Sequence, residues 1–336
     1  MSADSPDTFE HPFAPFVRIL GKGKTGSRSF SRQEAEQSMG MILRGEVQDV
    51  QLGAFLMLLR VKEETPEEIA GFVDACRDQM VEPPTGLTAD LDWPSYAGKR
   101  HQHPWYLLSI LLLSSAGYRV FLHGSAGHTP GRLYTEQAML SLGLPVADGW
   151  RTAAAQLDDR GFCYLPLEAF CPRLHDILQL RSLLGLRSPV NTLTRLLNPL
   201  QANCSIQSIF HPAYAAIHQQ GDQLLGQPAA LVLKGESGEI EVKPHADVRL
   251  NILRDGASHE VTLNRSQSER PDAVDQPGVE PLRALWRGVT VNRYGEDAVL
   301  STTTAALLLL RADLNTLGAM QLARELWEQR DRHAVA

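Results

Sequence analysis

The chain has 336 residues and a mass of 37.1 kDa, which suits two compact domains or one large α/β unit. Hydrophobic residues make up 43% and charged residues 21%, which excludes a disordered or fibrous chain. The formal net charge of −7 argues against a protein that coats nucleic acid through bulk charge.

Residues 1–14 are polar and acidic and have no apolar signal core, so they read as a flexible tail on a cytoplasmic protein. Helical signals follow closely. Ser31-Arg-Gln-Glu34 forms a capping box, in which the serine oxygen accepts from the amide of Glu34 and the carboxylate reaches back. Ala35, Met39, Ile42 and Leu43 recur at helical spacing behind it, and Gly45 closes the helix. Asp49 is placed to cap a second helix, with Leu52, Phe55, Leu56 and Leu59 on one face. Thr65-Pro66-Glu67-Glu68 is another capping box with proline at the first helical position, where its missing N–H costs nothing. Ile69, Phe72, Val73 and Cys76 continue that helix. Residues 15–86, up to the hinge-like Glu82-Pro-Pro-Thr-Gly86, are therefore expected to form a small helical unit.

Beyond the hinge, short β-type runs at 118–122, 162–165, 205–210, 229–233 and 248–253 alternate with helical patterns near 104–116, 133–142, 212–225 and 298–310. Alternation of this kind predicts an α/β domain, with helices packed on a mostly parallel sheet. Residues 265–280 are rich in Ser, Asp, Gln and Pro and read as a surface loop, and 316–330 as a final amphipathic helix. No apolar run reaches the ~18–20 residues that a membrane-spanning helix needs. Cys76, Cys163, Cys171 and Cys204 are scattered without a CxxC pair, so neither a zinc cage nor a disulfide framework is indicated. The charge is uneven. Residues 95–200 hold ten Lys/Arg against six Asp/Glu, with five of the eleven histidines, a balance compatible with one localised anionic ligand.

Four segments carry candidate chemistry. Pro94-Ser95-Tyr96-Ala97-Gly98-Lys99-Arg100 precedes a helix expected to begin near Pro104. A glycine-containing loop at a helix N-terminus offers free amides and a favourable dipole to an anion, and Lys99 and Arg100 add charge. A solvated basic loop would have the same composition. His123-Gly124-Ser125 opens a glycine-rich turn running to Arg132, at the carboxyl end of a strand, where open α/β sheets collect ligands. A structural histidine at a strand end fits that position as well. Arg181, Arg187 and Arg195 are spaced too widely for all to share one helix face. Lys234-Gly235-Glu236-Ser237-Gly238-Glu239-Ile240-Glu241 places three carboxylates in a turn after a strand, either as Mg²⁺ ligands beside substrate phosphates or as a solvated hairpin. Gly-x-Ser-x-Gly, HExxH and DFG are absent, and no nucleophile–base constellation stands out.

Ile42-Leu-Arg-Gly-Glu46, the run Gly53-Ala-Phe-Leu-Met-Leu-Leu-Arg60 and Thr65-Pro-Glu-Glu-Ile-Ala-Gly71 come first. Phe170-Cys-Pro-Arg-Leu-His175, Leu184-Gly-Leu-Arg187 and Leu197-Asn-Pro199 follow in order. Together they resemble anthranilate phosphoribosyltransferase and its relatives in glycosyl transferase family 3, across about residues 16–323. The resemblance implies the nucleoside phosphorylase and phosphoribosyltransferase type of fold. In it a small all-helical N-terminal domain, completed by helices near 172–195, sits on a larger α/β domain formed by 87–171 and 196–336. It also implies a homodimer formed through the helical domain.

The catalytic signatures depart from that pattern. The family's Gly-Thr-Gly-Gly-Asp loop is replaced by Pro94-Ser-Tyr-Ala-Gly98. Its Lys-His-Gly-Asn-Arg becomes Leu122-His123-Gly124-Ser125-Ala126, without the phosphate lysine. Its magnesium-holding Asp-Glu pair becomes Gly238-Glu239, leaving Glu239 as the candidate ligand for Mg²⁺, while Arg187 matches the arginine that contacts anthranilate. Phosphoribosyl transfer must neutralise a departing pyrophosphate, and losing one electrostatic contact of that kind commonly costs on the order of 10²–10³ in rate. The expected function is therefore not the making of phosphoribosyl-anthranilate. The altered loops look like those of divergent paralogues of the YbiB type, associated with nucleic-acid binding. On that resemblance, Lys99, Arg100, Arg132, Arg181 and Arg187 would contact the phosphates of single- or double-stranded nucleic acid, and Ser95, Tyr96, Gly98, His123, Gly124 and Ser125 would complete the ligand site. The alternative is an active glycosyl or phosphoribosyl transferase with a changed acceptor, in which Mg²⁺ would take part.

Overall fold

A computed structural model of the chain describes residues 10–334. The helical domain opens with α1 (Ala14–Gly21), α2 (Arg32–Leu43), α3 (Asp49–Lys62) and α4 (Pro66–Gln79). Both capping boxes form, with Ser31 accepting from the Glu34 amide and Thr65 from the Glu68 amide. The cap of α3 is Gln48, one residue before the expected Asp49. Of the expected tail, residues 1–9 lie outside the described residues, but Phe13 is already core. It packs on Phe16 and Phe55, and Phe30 and Phe72 extend the aromatic cluster. The helices Pro172–Gln179 and Val190–Leu193 bury Leu174, Ile177, Val190 and Leu193 in this same core.

The larger domain is a seven-stranded sheet of β1 (Leu91–Ser95), β2 (Val120–Gly124), β3 (Phe162–Pro166), β4 (Cys204–Ser208), β5 (Ala229–Leu233), β6 (Val248–Arg254) and β7 (Ala257–Leu263). Their spatial order is β3-β2-β1-β4-β5-β6-β7. The first five strands run parallel, and β6 and β7 are antiparallel additions at one edge. A helix of Tyr106–Ser115, apolar all round and buried over most of its length, covers one face with Arg293–Leu310 and Thr316–Gln329.

Two strands carry no readable sequence signal. β1 has Pro94 in the middle of the sheet, but β4 no longer pairs with β1 at that level, so no ladder on that side is broken. β7 is a polar edge strand. The helices Trp150–Arg160 and Glu280–Arg287 also go beyond the expected elements. The run expected as a strand over 205–210 ends at Ser208, and after one further bond from the Ile209 amide to Leu233, Phe210 projects beyond the carboxyl end of the sheet. Among the described residues, no helix is long and apolar enough to cross a membrane, and all four cysteines are buried free thiols.

The topology positions the site. From β1 the chain steps outward to β2 and β3, then returns to add β4 on the other side of β1. Ligands of open α/β sheets bind at such a reversal, outside the carboxyl ends of the strands. Here β1 and β4 pair only at Leu91↔Cys204 and Asp92↔Ser205, and beyond those residues they diverge toward their carboxyl ends.

Candidate anion-binding cleft

The loop after β1 is built to hold an anion, and it holds one of the protein's own. Ser95 Oγ donates to Glu239 Oε2 at 2.6 Å, and the amides of Ala97 and Gly98 donate to Oε1 at 2.7 and 2.5 Å. Burial raises the pKa of Glu239, and these donors oppose that rise by favouring the carboxylate. Gly98 turns the loop at a left-handed φ of 68°, where a side chain would also crowd Arg132 and Tyr134. Ser95 and Gly98 are therefore committed internally and do not face a ligand. The expectation that Glu239 holds Mg²⁺ is corrected by the same contacts, because both its oxygens are engaged and Gly238 supplies no second carboxylate. Among the described residues, no group of three or more His, Cys, Asp or Glu side chains is arranged to hold a metal. The residues present do not fit the magnesium of the resemblance.

Lys99 is likewise corrected. It is 0% exposed, with Nζ 2.5 Å from Glu236 Oε2 and 2.5 Å from Glu241 Oε1. Burial pushes Glu241 up to about 7, against the pull of the Lys99 cation. The other oxygen of Glu241 accepts from the Tyr106 amide at 2.9 Å. Lys99 thus ties the loop after β1 to the loop after β5 and does not reach a phosphate. Arg132 adds to this fastening, donating to the carbonyls of Ala97, Gly98 and Ser237 at 3.0, 2.9 and 3.0 Å.

His123 is also internal. Its Nδ1 lies 2.7 Å from the Tyr96 hydroxyl and its Nε2 3.1 Å from Asp92 Oδ1, while Asp92 Oδ2 accepts from Ser205 Oγ at 3.0 Å. The ring is enclosed by Phe121 and Phe170. Ser125 shares its hydroxyl with His175 and Gln179, each 3.1 Å away. Gly124 is required by the sheet, since a Cβ there would stand 2.1 Å from the Ser95 carbonyl oxygen. Tyr96, His123, Gly124 and Ser125 are structural in place of ligand-facing.

What remains open to the cleft is basic. Arg187 is half-buried, and burial followed by the crowding of Arg132, Arg181 and Arg195 lowers its pKa to about 10. The structure thus brings together Arg100, Arg132, Arg181 and Arg187, four of the five expected phosphate contacts. One cavity of 130 Å³ is lined by Arg60, Arg187 and Arg195, with Glu64 as its carboxylate. A second, of 710 Å³, is lined by Arg100, Arg132, Lys234, Lys243 and Arg270 and by His101, His211 and His245, with Asp272 and the Lys99-paired Glu236 as its carboxylates. Phe210 and His211 line both. Arg60, Lys243, Arg270 and Phe210 were missed from the sequence because they converge from distant segments, and Lys234 was read only as part of a carboxylate-bearing turn.

Behind the smaller cavity, His218 Nδ1 lies 2.7 Å from Gln207 Oε1, and Gln207 donates to both Asp222 oxygens at 2.9 and 3.1 Å. Burial raises Asp222 from 3.8 to about 7, so its contribution to stability is full at low pH and is lost as pH rises toward 7. Asp222→Asn removes that dependence. Relative to wild type, the variant is expected to gain stability from about pH 4 to 7, by at most about 1.4 kcal/mol per unit. Urea unfolding of both proteins at several pH values measures this, and a difference that stays constant would contradict it.

The comparisons with known proteins agree with this architecture. Residues 16–80 match the helical bundle domain of the glycosyl transferase family, and residues 107–328 match its a/b domain. The chain belongs to glycosyl transferase family 3. It is 31% identical to YbiB, an uncharacterised protein of Escherichia coli strain K12, over 82% of this chain and 86% of that protein. It is 26% identical to an anthranilate phosphoribosyltransferase of Methylocella silvestris, over 88% and 86% of the two chains. In fold it is similar to the anthranilate phosphoribosyltransferase of Thermus thermophilus, with a TM-score of 0.78 at 21% identity, covering 95% of this chain and 94% of the other. The Saccharomyces cerevisiae enzyme in complex with PRPP and Mg gives 0.76 at 18% identity, covering 94% and 93%.

Proposed function

We propose that this chain is a cytoplasmic protein that binds phosphate-rich ligands, nucleic acid first among them, in the cleft where β1 and β4 diverge, and that it does not transfer phosphoribose to anthranilate. The observation that carries this reading is the set of cations in the larger cavity. Among the described residues, Arg100, Lys234, Lys243 and Arg270 have no carboxylate within ion-pair distance, beside a loop whose own anion hole is filled by Glu239. Phosphate backbones meet such a surface without sequence selection, releasing counterions as they bind.

Binding of labelled single strands and duplexes should therefore weaken steeply with salt. For a single strand, Lys243→Ala combined with Arg270→Ala should lower the slope of log affinity against log salt by about 1.4, at ~0.7 per phosphate contact. Fluorescence anisotropy at several salt concentrations reads this directly, and the proposal fails if wild type does not bind or shows no slope. Phosphoribosyl pyrophosphate as competitor separates this reading from a transferase with a changed acceptor, which Arg187 favours by standing half-buried in the smaller cavity without an ion pair. Competition abolished by Arg187→Ala would support the transferase.

We also propose a homodimer through the helical domain. Val50 on α3 is 79% exposed and Leu183 and Leu186 are 83% and 57% exposed, while α3 and the helix Pro172–Gln179 line a common groove with Leu183. Light scattering should give a dimer for wild type and a monomer for Leu183→Arg, and a monomeric wild type would remove this proposal.

A further inference from the structure

We infer that Phe210 is a stacking platform for one base of a single strand whose flanking phosphates lie in the two cavities on either side of it. This rests on the phosphate-binding reading of the cleft.

Ile209 is the last residue held by the sheet, its amide donating to the Leu233 carbonyl at 2.9 Å. Phe210 is the first residue free of it and is 52% exposed, facing a cavity whose lining includes Arg100, Arg132, Lys234, Lys243 and Arg270 beside uncharged residues such as Tyr294. The ring is nonetheless supported. His211 meets it edge-on at 4.9 Å and 77°, and on another side it rests near Gly238, where a Cβ would stand 4.0 Å from Phe210 Cδ2. A supported ring with an open remainder is the requirement for stacking a planar ligand.

Its surroundings select which planar ligand. Arg60, Arg187 and Arg195 occupy the cavity on one side, and Arg100, Arg132 and Lys234 the cavity on the other. Alternation of cation, aromatic face and cation is the pattern that single strands require, because each base has a π-face and each linkage a negative charge. An apolar protein partner would leave these six cations desolvated with only Glu64, Asp272 and the Lys99-paired Glu236 beside them. A duplex keeps its bases stacked inside and could reach the ring only by extruding one, at a cost of a few kcal/mol. The site therefore favours single strands over duplexes, and bases over bare sugar-phosphate.

The test compares a labelled thymidylate strand of about twelve nucleotides with an abasic strand of the same length, by fluorescence anisotropy at fixed salt. Wild type should bind the base-bearing strand about tenfold more tightly than the abasic one. Phe210→Ala should erase that difference while leaving abasic binding and the salt slope unchanged, and Phe210→Trp should preserve it. Equal binding of both strands by wild type, or a difference that survives Phe210→Ala, overturns the stacking role and leaves phosphate binding standing. Failure of both strands to bind at low salt overturns the stacking role and the phosphate-binding reading together.

Discussion

Lys99→Met is expected to cost about 3–5 kcal/mol of stability, because it leaves two buried carboxylates without their shared cation. Lys99 stands 2.5 Å from both Glu236 and Glu241 as their common counter-charge. The methionine keeps most of the volume, so the loss reports charge and not a cavity. The loss should also depend on pH in a definite direction. Without the cation, the buried carboxyls retain protons that the unfolded chain releases above their ordinary value of 4.5. The folded variant then binds more protons than the unfolded one, so stability falls as pH rises from there. Denaturant unfolding at pH 5 and pH 8 should show the larger loss at pH 8. A loss under about 1 kcal/mol, or one independent of pH, would mean that water reaches the two carboxylates.

Glu239→Ala is expected to be nearly as disruptive, for the opposite electrostatic reason. It strands the amides of Ala97 and Gly98, and leaves the Ser95 hydroxyl only Thr135, in a pocket where Glu239 itself is only 1% exposed. Buried donors without partners cost about 1–3 kcal/mol each, so a total near 3 kcal/mol is the expectation after partial relaxation. The emptied space matches a small carboxylate. Excess formate should therefore raise the melting temperature of the variant and leave wild type unaffected. An unstable variant that formate does not rescue would show that the loop collapses when its carboxylate is removed.

The helical domain was legible because its instructions are local. The boxes at Ser31 and Thr65 and the apolar spacing behind each lie within single short windows, and both helices formed where expected. β1 was illegible for the converse reason. Leu91-Asp-Trp-Pro-Ser95 contains no β-branched residue, and its aspartate is tolerated only through Ser205 on β4 and His123 on β2. The β6–β7 hairpin had a readable turn, Asp255-Gly256 with φ of 49° and 77°, but β7 is too polar to show an alternating face. In the site, the convergence of Arg132, Arg181 and Arg187 follows from their placement at strand and helix ends. The burial of Lys99 does not, because its partner Glu241 is 142 residues away and no local pattern marks the pair.

The carboxylate seated on the loop after β1 has a thermodynamic consequence. A loop ordered by a bound metabolite is stabilised only in proportion to how far that metabolite exceeds its dissociation constant. Here the anion belongs to the same chain and is supplied at an effective concentration set by the fold. Order in this loop is therefore independent of the concentration of any dissolved anion.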